Sequence, residues 1–325
     1  MEEEKKAEER GGMRDVRCDK CGKPAVTTFR TYRISLCEAC YPRFYEALVR
    51  RSIKRHCILR ENERVLIAVS GGKDSVALAH VLKKINDFNW SLEMLHINLG
   101  TGEYSDRAEK VVKELSEMIE MPLLTVNLAD FGFTIKDARM RKRCAACGTA
   151  KRYIMNRTAR MHGFDVVVTG HTSDDIAAFA LKNIVGGNIS WILKFKPRAE
   201  SFAESVVTKA RPLFERTEEE NRLYVSAENL PLLEDRCPFA PHRDDWKDIV
   251  REIERRKTGF TQNFVRGIAK LASEASSEET IGERGVCGVC SVCGEVSSSD
   301  VCAFCKLRAR IVRDAGGKMW RRMMP

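Results

Sequence analysis

The sequence has no apolar run approaching the roughly 18–20 residues that a membrane-spanning helix needs. Its first residues lack the apolar stretch of a secretory signal, and no repeat of solenoid length is present. These absences argue against membrane-spanning, secreted and solenoid proteins, and they predict a soluble cytoplasmic protein with no membrane partner. Because 43% of the 325 residues are hydrophobic, the chain can bury a substantial core, which excludes wholesale disorder.

Acidic residues are too few to balance the basic ones: 46 Asp and Glu stand against 56 Lys and Arg, a net charge of +10. This excess predicts a polyanionic partner, above all nucleic acid. The basic residues concentrate in residues 43–55, residues 139–152 and the tail from Lys306 to Arg322. One charged run is usually a solvated helix face, but three runs that each lie beside cysteines favour an RNA-binding surface.

Cysteine, in contrast, is abundant: the chain has 13, and most of them fall into CxxC pairs. In a reducing cytosol such pairs bind metals more often than they form disulfides. Four cysteines near the N-terminus have the spacing C-x2-C-x15-C-x2-C, and they are Cys18, Cys21, Cys37 and Cys40. Two pairs joined by a short hairpin predict a closed, structural zinc site that supplies folding energy to a small module. Reduced cysteines without metal are the alternative.

A second set near the C-terminus predicts another structural zinc site. Its members are Cys290, Cys293, Cys302 and Cys305. Cys287 offers a competing register, in which it pairs with Cys290. We prefer the pair Cys290 and Cys293 because a glycine directly follows Cys293, as one follows Cys21 in the first module.

Apolar strand patterns alternate with helical patterns through the middle of the chain. The predicted strands are residues 64–69, 91–99, 122–128 and 165–170, and the predicted helices are residues 76–85, 107–119 and 175–185. Such alternation predicts an α/β fold with a parallel sheet covered on both faces. Thr217 and Glu220 fit a capping box, which predicts a further helix that ends before Pro231.

The segment SGGKDS, Ser70 to Ser75, lies between a predicted strand and a predicted helix. Its glycines let the backbone approach a phosphate, and the helix N-terminus attracts that anion. Lys73 adds a positive charge, and the serine hydroxyls can donate hydrogen bonds. The segment therefore predicts nucleotide binding, although it is not the longer Walker loop. A Gly-Gly turn capped by Asp74 or Ser75 is the alternative.

Three central cysteines belong to neither terminal set: Cys144, Cys147 and Cys237. Three thiolates without an evident fourth suit a [4Fe–4S] cluster whose fourth iron stays free for an external ligand. A persulfide or disulfide on Cys144 and Cys147 is one alternative. A third zinc that recruits Cys57 is another, although we expect Cys57 to be a small buried hydrophobe.

Other candidate residues lie at the carboxyl ends of the predicted strands, where ligands of parallel sheets bind. Asp174 and Asp175 could orient Mg²⁺ or take a proton, or could only cap their helix. Lys151 could neutralise charge that develops on the phosphates or on a substrate oxygen. His96 and Ile97 could flank adenine, and ordinary packing is the alternative for His96.

These motifs together resemble a known family. SGGKDS after an apolar strand resembles the PP-loop of ATP pyrophosphatases. The segments that narrow the resemblance are HINLGTGEYSD (96–106), RCAACGTAKR (143–152), TGHTSDD (169–175), ARPLFE (210–215) and RCPFA (236–240). With the two cysteine modules they resemble the TtuA/TtcA group of tRNA 2-thiolation enzymes over about residues 15–305. The chain departs from the group in having GHTSDD for GHNLDD and Gly100-Thr101-Gly102 for GIG.

The resemblance implies a Rossmann-like PP-loop ATP pyrophosphatase domain that transfers AMP from ATP, with Mg²⁺, to O2 of a tRNA uridine. Sulfur held on the free iron of the [4Fe–4S] cluster would then attack C2 and displace AMP. The implied nucleotide contacts are Ala68, Ser70, Gly71, Gly72, Lys73, Asp74, Ser75, Ile97, Lys151 and Gly170. The implied catalytic residues are Asp175 as acid/base, Lys151, and the cluster ligands Cys144, Cys147 and Cys237. A ubiquitin-like sulfur-carrier protein and a homodimer are also implied.

Two segments, RCPFA and residues 257–267, look more like the enzymes that act on T-loop uridine 54 than like those that act on the wobble uridine. Other functions stay open at this point. A lysidine-synthetase-like ligase would leave the central cysteines without a purpose. A non-catalytic RNA-binding zinc protein would not need Lys73, Asp74, Lys151 and Asp175.

The predicted organisation has two zinc fingers flanking one catalytic domain. Its parts are a mobile tail (1–13), an N-terminal zinc finger (14–45), the PP-loop ATPase domain with the Fe–S site (46–272), a linker (273–285), a C-terminal zinc finger (286–306) and a basic tail (307–325).

Overall fold

A computed structural model of the chain describes residues 16–139, 142–193, 195–203, 205–240, 245–278 and 288–314. In these ranges no helix combines the length and the apolar character that crossing a membrane requires. The mobile tail predicted for residues 1–13 and the alternative ligand Cys287 lie outside the described residues.

The centre of the described fold is a six-stranded sheet with the order β5-β4-β3-β6-β8-β7. Its strands are β3 (Arg64–Ala68), β4 (Ser91–Asn98), β5 (Leu123–Asn127), β6 (Val166–Val168), β7 (Arg198–Ala199) and β8 (Thr208–Ala210). All neighbours pair in parallel except β7, which runs antiparallel along the edge. The four predicted strands and their parallel arrangement are confirmed, whereas β7 and β8 were not predicted.

Helices follow the parallel strands and cover both faces of the sheet. They are α2 (Lys73–Lys84), α3 (Glu103–Met118), α4 (Arg143–Met161) and α5 (Ser173–Val185). Alternate residues of β3 point to opposite sides: Val65 packs in the cluster that includes α2 and α3, and Leu66 in the cluster that includes Ala159 of α4. Because both faces are buried there, the central strands β3 and β6 are continuously apolar from Val65 to Ala68 and from Val166 to Val168.

The remaining elements surround this body. They are α1 (Tyr41–Arg55), α6 (Ile189–Leu193), α7 (Glu218–Ala227), α8 (Asp245–Arg256), α9 (Phe260–Glu278) and α10 (Ala303–Asp314). Helix α7 begins at the predicted capping box of Thr217 and Glu220 and ends before Pro231, as predicted. Residues 273–278 of the predicted linker continue α9, and residues 279–285 lie outside the described residues.

Each cysteine module contains a short antiparallel hairpin. The N-terminal pair is β1 (Thr27–Phe29) and β2 (Ile34–Leu36), and the C-terminal pair is β9 (Gly288–Val289) and β10 (Val296–Ser297). The N-terminal module leads directly into α1, and the C-terminal module into α10. The N-terminal module is therefore joined to the sheet through α1, whereas Cys305 of the C-terminal module lies within α10 itself.

Candidate active site

The loop between β3 and α2 forms one wall of the site. Gly71 has φ +83°, a backbone conformation that favours glycine. A Cβ at this position would also lie only 3.3 Å from the carbonyl oxygen of Ala108. Both the backbone conformation and the close contact therefore favour glycine here. Ser75 braces the loop by donating its hydroxyl to the carbonyl of Gly72 at 2.9 Å. As described, Gly72 begins α2 without a side-chain cap. Ser75 also accepts a 3.1 Å hydrogen bond from the backbone N–H of Ser70, so the turn is capped by Ser75, one of the two residues that the alternative named. This cap does not exclude anion binding, because Gly72 supplies no side chain to the N-terminus of α2.

The end of β6 packs tightly against this loop. A Cβ on Gly170 would lie 2.9 Å from the carbonyl oxygen of Asp74, closer than real Cβ contacts. Glycine at this position therefore lets β6 and the loop share one edge of the sheet, where ligands of parallel sheets bind.

Charged side chains converge beside the loop. Nζ of Lys73 lies 3.0 Å from Oδ2 of Asp74 and 3.4 Å from Oε2 of Glu218. The other carboxylate oxygen of Asp74 accepts a 2.8 Å hydrogen bond from Asn221. Burial raises the pKa of Asp74, and Lys73 partly opposes this effect. Neither Glu218 nor Asn221 was predicted from the sequence.

Asp175 has a capping role and an ionic one. Its Oδ2 accepts hydrogen bonds from the backbone N–H and the hydroxyl of Thr172, at 2.9 and 3.0 Å. Its Oδ1 lies 2.5 Å from Nζ of Lys247. Burial alone would raise the pKa of Asp175, but Lys247 outweighs it and the pKa is lowered. Asp175 is therefore ionised at neutral pH, which suits a proton acceptor or a cation ligand better than an acid.

Asp174 is oriented differently from its neighbour. Its Oδ2 accepts a 2.9 Å hydrogen bond from the backbone N–H of Glu218. Burial raises the pKa of Asp174 to about 6. The two adjacent carboxylates consequently differ in charge near that pH, because Lys247 lowers the pKa of Asp175.

The opposite wall is one face of α4. Cys144, Cys147, Lys151 and Met155 recur at intervals of three or four residues and line the same cavity. Cys237 reaches this cavity from the segment after α7. Burial raises the pKa of the Cys147 thiol, and Lys151 partly opposes that rise.

The three predicted cluster ligands thus share one cavity of about 600 Å³ with the phosphate loop. The segment that carries Cys237 lies over the start of α4, where Sγ of Cys144 is 3.4 Å from the carbonyl oxygen of Phe239. The predicted nucleotide residues that line the cavity are Ala68, Ser70, Asp74, Ser75, Ile97, Lys151 and Gly170. Gly71, Gly72 and Lys73 belong to the loop beside it.

Two neutral histidines also line the cavity. Burial lowers the pKa of His171 to about 4, and its Nδ1 lies 2.8 Å from the hydroxyl of Thr169. Burial also lowers the pKa of His96, whose Nδ1–H donates to the carbonyl of Val69 at 3.0 Å. Within the described residues Nε2 of His96 is buried without a hydrogen-bond partner. Both rings can act as acceptors or donors but do not add charge at pH 7.

Each terminal cysteine set brings four sulfur atoms within 4.8 Å of one another. Sγ atoms of Cys21 and Cys37 lie 3.5 Å apart, and those of Cys293 and Cys302 lie 3.7 Å apart. A tetrahedral zinc with Zn–S bonds of about 2.3 Å needs sulfurs about 3.8 Å apart. Both sets therefore fit zinc, and the second set is complete without Cys287.

The central cysteines do not form such a compact group among the described residues. This wider spacing does not suit a third zinc. Cys57, which that alternative required, is exposed at the end of α1 and is not among the residues that line the cavity. The expectation that Cys57 is buried is wrong: it has φ +46°, in a turn that points its side chain to solvent.

The C-terminal module packs on the outer face of α4. The rings of Phe304 and Tyr153 stack with centroids 3.8 Å apart. Glu295 of the module forms an ion pair with Arg160 and accepts a 3.2 Å hydrogen bond from Asn156. Helix α4 therefore lies between the module and the cavity, with its cysteines on one side and these contacts on the other.

Comparisons with known proteins agree with this architecture. Residues 45–241 match the PP-loop domain family. The tRNA-5-methyluridine(54) 2-sulfurtransferase of Pyrococcus horikoshii is 37% identical, over 90% of this chain and 93% of that protein. The protein of the same name from Thermotoga maritima is 35% identical, over 91% and 97%. The solved structure of the U34-tRNA thiolase NcsA from Methanococcus maripaludis with its [4Fe-4S] cluster matches the fold with a TM-score of 0.75, at 24% identity over 92% of this chain and 97% of that one.

Proposed function

Because the chain belongs to the PP-loop domain family and, within it, to the TtuA group of tRNA-thiolating enzymes, we propose that it is an ATP-dependent tRNA uridine 2-sulfurtransferase. One observation carries the proposal: the phosphate loop and the three central cysteines face a single cavity. An adenylation site and a sulfur-handling site in one cavity let the same uridine meet both. The relatives' names support position 54 of the T-loop over the wobble position.

The phosphate loop performs the first half of the reaction. Uridine O2 is a poor leaving group until it carries AMP. We therefore propose that O2 first attacks the α-phosphate of ATP, and that this attack releases pyrophosphate. The N-terminus of α2 and Lys73 stabilise the charge on the departing pyrophosphate. Lys151 extends from the cysteine wall and offsets charge on O2 or the α-phosphate. Asp175, ionised beside Lys247, serves as a proton acceptor or orients Mg²⁺.

The cysteine wall serves the second half, in which a sulfur nucleophile displaces AMP at C2. Cys144, Cys147 and Cys237 are three thiol donors, and no fourth cysteine of the described chain lines the cavity. This donor set fits a [4Fe–4S] cluster with one iron left open. Such a cluster supplies a coordination position for an external sulfur ligand. The chain's own contribution is to hold the three thiolates beside Lys151 at the site of the activated uridine. A persulfide on Cys144 or Cys147 is the competing source of sulfur.

The terminal four-cysteine modules hold structural zinc in this proposal, since each set is closed and lies apart from the cavity. Helices α4 and α10 contact each other and both carry basic residues, which supports tRNA binding on that side. We also propose that a ubiquitin-like carrier protein donates the sulfur, that the protein forms a homodimer, and that it is located in the cytoplasm.

Two measurements test the function. Purified protein with labelled ATP should release pyrophosphate only when tRNA is present. Mass spectrometry of tRNA nucleosides from a deletion strain should show the loss of 2-thiouridine species at position 54. Loss of 2-thiouridine at position 34 instead would identify the wobble uridine as the substrate. Unchanged thiolation together with the loss of an amine adduct on a tRNA base would favour a lysidine-synthetase-like ligase.

A further inference from the structure

Asp74 of the phosphate loop is held from outside the loop. Its Oδ2 faces Lys73, and its Oδ1 accepts a hydrogen bond from Nδ2 of Asn221 on α7. Asn221 is fully buried, with an exposed fraction of 0%. The carboxylate that positions Lys73 is therefore itself positioned by an amide from another element.

The orientation of that amide is fixed by its second partner. The hydroxyl of Tyr45 lies 2.6 Å from Oδ1 of Asn221. If the amide were flipped, its oxygen would face the carboxylate of Asp74, which cannot donate a hydrogen bond when ionised. The NH₂ group must therefore face Asp74, and Tyr45 must donate to Oδ1. Tyr45 is fully buried as well and stacks on Tyr224, so the donor has little freedom to move.

Tyr45 connects this chain of hydrogen bonds to the N-terminal four-cysteine module. It lies on α1, which begins directly after Cys40, a cysteine of that module. Tyr41 of the same helix donates to the backbone carbonyl of Glu220 at 2.7 Å. Tyr32, in the hairpin of the module, donates to the carboxylate of Glu220 at 2.8 Å. The module is thus fastened to α7 by three tyrosine hydroxyls, and that of Tyr45 leads on through Asn221 to the phosphate loop.

We propose that Tyr45 and Asn221 are positioning residues of the nucleotide site, through which the N-terminal four-cysteine module fixes Asp74 and hence Lys73. This inference rests on the proposed function of the loop as an ATP site. It assigns the module a role in nucleotide binding in addition to any contact with tRNA. The C-terminal module packs on α4 and has no part in this chain of hydrogen bonds to Asp74.

The chain offers a closely matched pair of variants. Tyr45→Phe and Tyr41→Phe each remove one buried hydroxyl from the same helix, next to the same module. Both should lower thermal stability by a similar amount and leave the zinc content unchanged. Only Tyr45→Phe should weaken MgATP binding, by about fivefold to tenfold, as expected for the loss of one buried hydrogen bond. Calorimetric titration with MgATP measures this difference.

A double-mutant cycle then tests the route. Asn221→Ala should weaken MgATP binding at least as much as Tyr45→Phe, and Tyr45→Phe should have no further effect in that background, because both changes break the same chain. Equal MgATP affinities of Tyr45→Phe and Tyr41→Phe would overturn the inference, whether or not Asn221→Ala folds. Failure of the wild-type protein to bind MgATP would instead contradict the proposed function.

Discussion

Lys247 and Asp175 form an ion pair of 2.5 Å across two parts of the chain. Asp175 lies within residues 45–241, which match the PP-loop domain family, whereas Lys247 lies beyond them on α8. The same ammonium group also contacts Glu218, whose other oxygen lies 3.4 Å from Lys73. A helix outside the family's common domain therefore controls the charge beside the phosphate loop.

Replacing Lys247 should slow the adenylation step. We expect Lys247→Met to reduce tRNA-dependent pyrophosphate release by about tenfold to a hundredfold, because Asp175 loses the group that orients it. Lys247→Arg should restore most of the rate, since it keeps the charge. Lys270→Met is a control, because Lys270 is an exposed lysine on α9. Equal rates for the Met variants of Lys247 and Lys270 would contradict this role.

Lys73→Ala should abolish adenylation while leaving the fold intact. The phosphate chain loses its cation in the transition state, which costs roughly 2–4 kcal/mol, a loss of about thirtyfold to a thousandfold in kcat. Formation of AMP from ATP in the presence of tRNA is the measurement, with circular dichroism and zinc content as controls. Undiminished AMP formation would refute the assignment of the loop.

The metals should separate into two classes. Protein prepared without oxygen should contain about two zinc ions and about four iron atoms per chain, with a brown absorbance that air bleaches. Alanine at Cys144, Cys147 or Cys237 should remove the iron and keep the zinc. If one of these variants lost zinc in stoichiometric amount, the central site would hold zinc and the proposed sulfur chemistry would fail.

Glu215 should make stability depend on pH. It is 1% exposed and accepts hydrogen bonds from His56 at 2.9 Å and Arg266 at 2.8 Å. Burial would raise its pKa, but His56, Arg266 and Arg55 outweigh burial and hold the pKa of Glu215 well below its usual range. A carboxyl with a depressed pKa stabilises the fold fully above its unfolded pKa of about 4.3, and this contribution is lost as the pH falls through the folded pKa.

The matching variant is Glu215→Gln. We expect it to lower the free energy of unfolding at pH 7 by about 3–5 kcal/mol, because the surrounding cations lose their partner. The difference from wild type should narrow as the pH is lowered below about 4.3. Urea unfolding at a series of pH values measures it. A difference that stayed constant with pH would show that the ionised carboxylate is not the cause.

Truncation after Asp314 should weaken tRNA binding and make it less dependent on salt. It removes Lys318, Arg321 and Arg322 but keeps Asp314, which pairs with Arg139 at 3.1 Å. Each phosphate that the shortened chain no longer neutralises should reduce the slope of log affinity against log salt by about 0.7–0.9. Affinity for MgATP should not change. If affinity and slope both stayed at the wild-type values, residues 43–55 and 139–152 would carry the binding.

The elements that sequence could predict are those with a local pattern. Continuous apolar runs located β3 to β6, and the Thr217–Glu220 capping box located the start of α7, since both signals depend on neighbouring residues only. Strands β7 and β8 have two and three residues, too few for a pattern to be distinguished from a loop. The SGGKDS segment was recognised because its glycines, lysine and position before a helix occur together.

The residues that sequence could not predict act through contacts distant along the chain. Lys247 lies in a charged helix whose sequence is typical of a solvated surface, and only folding places it beside Asp175. Asn221 looks like an ordinary polar residue within α7 until its amide is seen between Tyr45 and Asp74. The expectation for Cys57 failed because Cys57 lies in an exposed turn after α1, where its φ is positive, and residue type alone does not reveal such a turn.

The position of α4 between the cavity and the C-terminal module also fixes an order of events during synthesis. Domains fold from the N-terminus as the chain leaves the ribosome. Tyr153 and Asn156 acquire their partners Phe304 and Glu295 only when the last part of the chain has emerged. Until then the helix that carries Cys144 and Cys147 lacks its outer support, so the cysteine wall of the cavity is completed only late in synthesis. A chain that ended before residue 288 would leave Tyr153 without its stacking partner Phe304 and Asn156 without its partner Glu295.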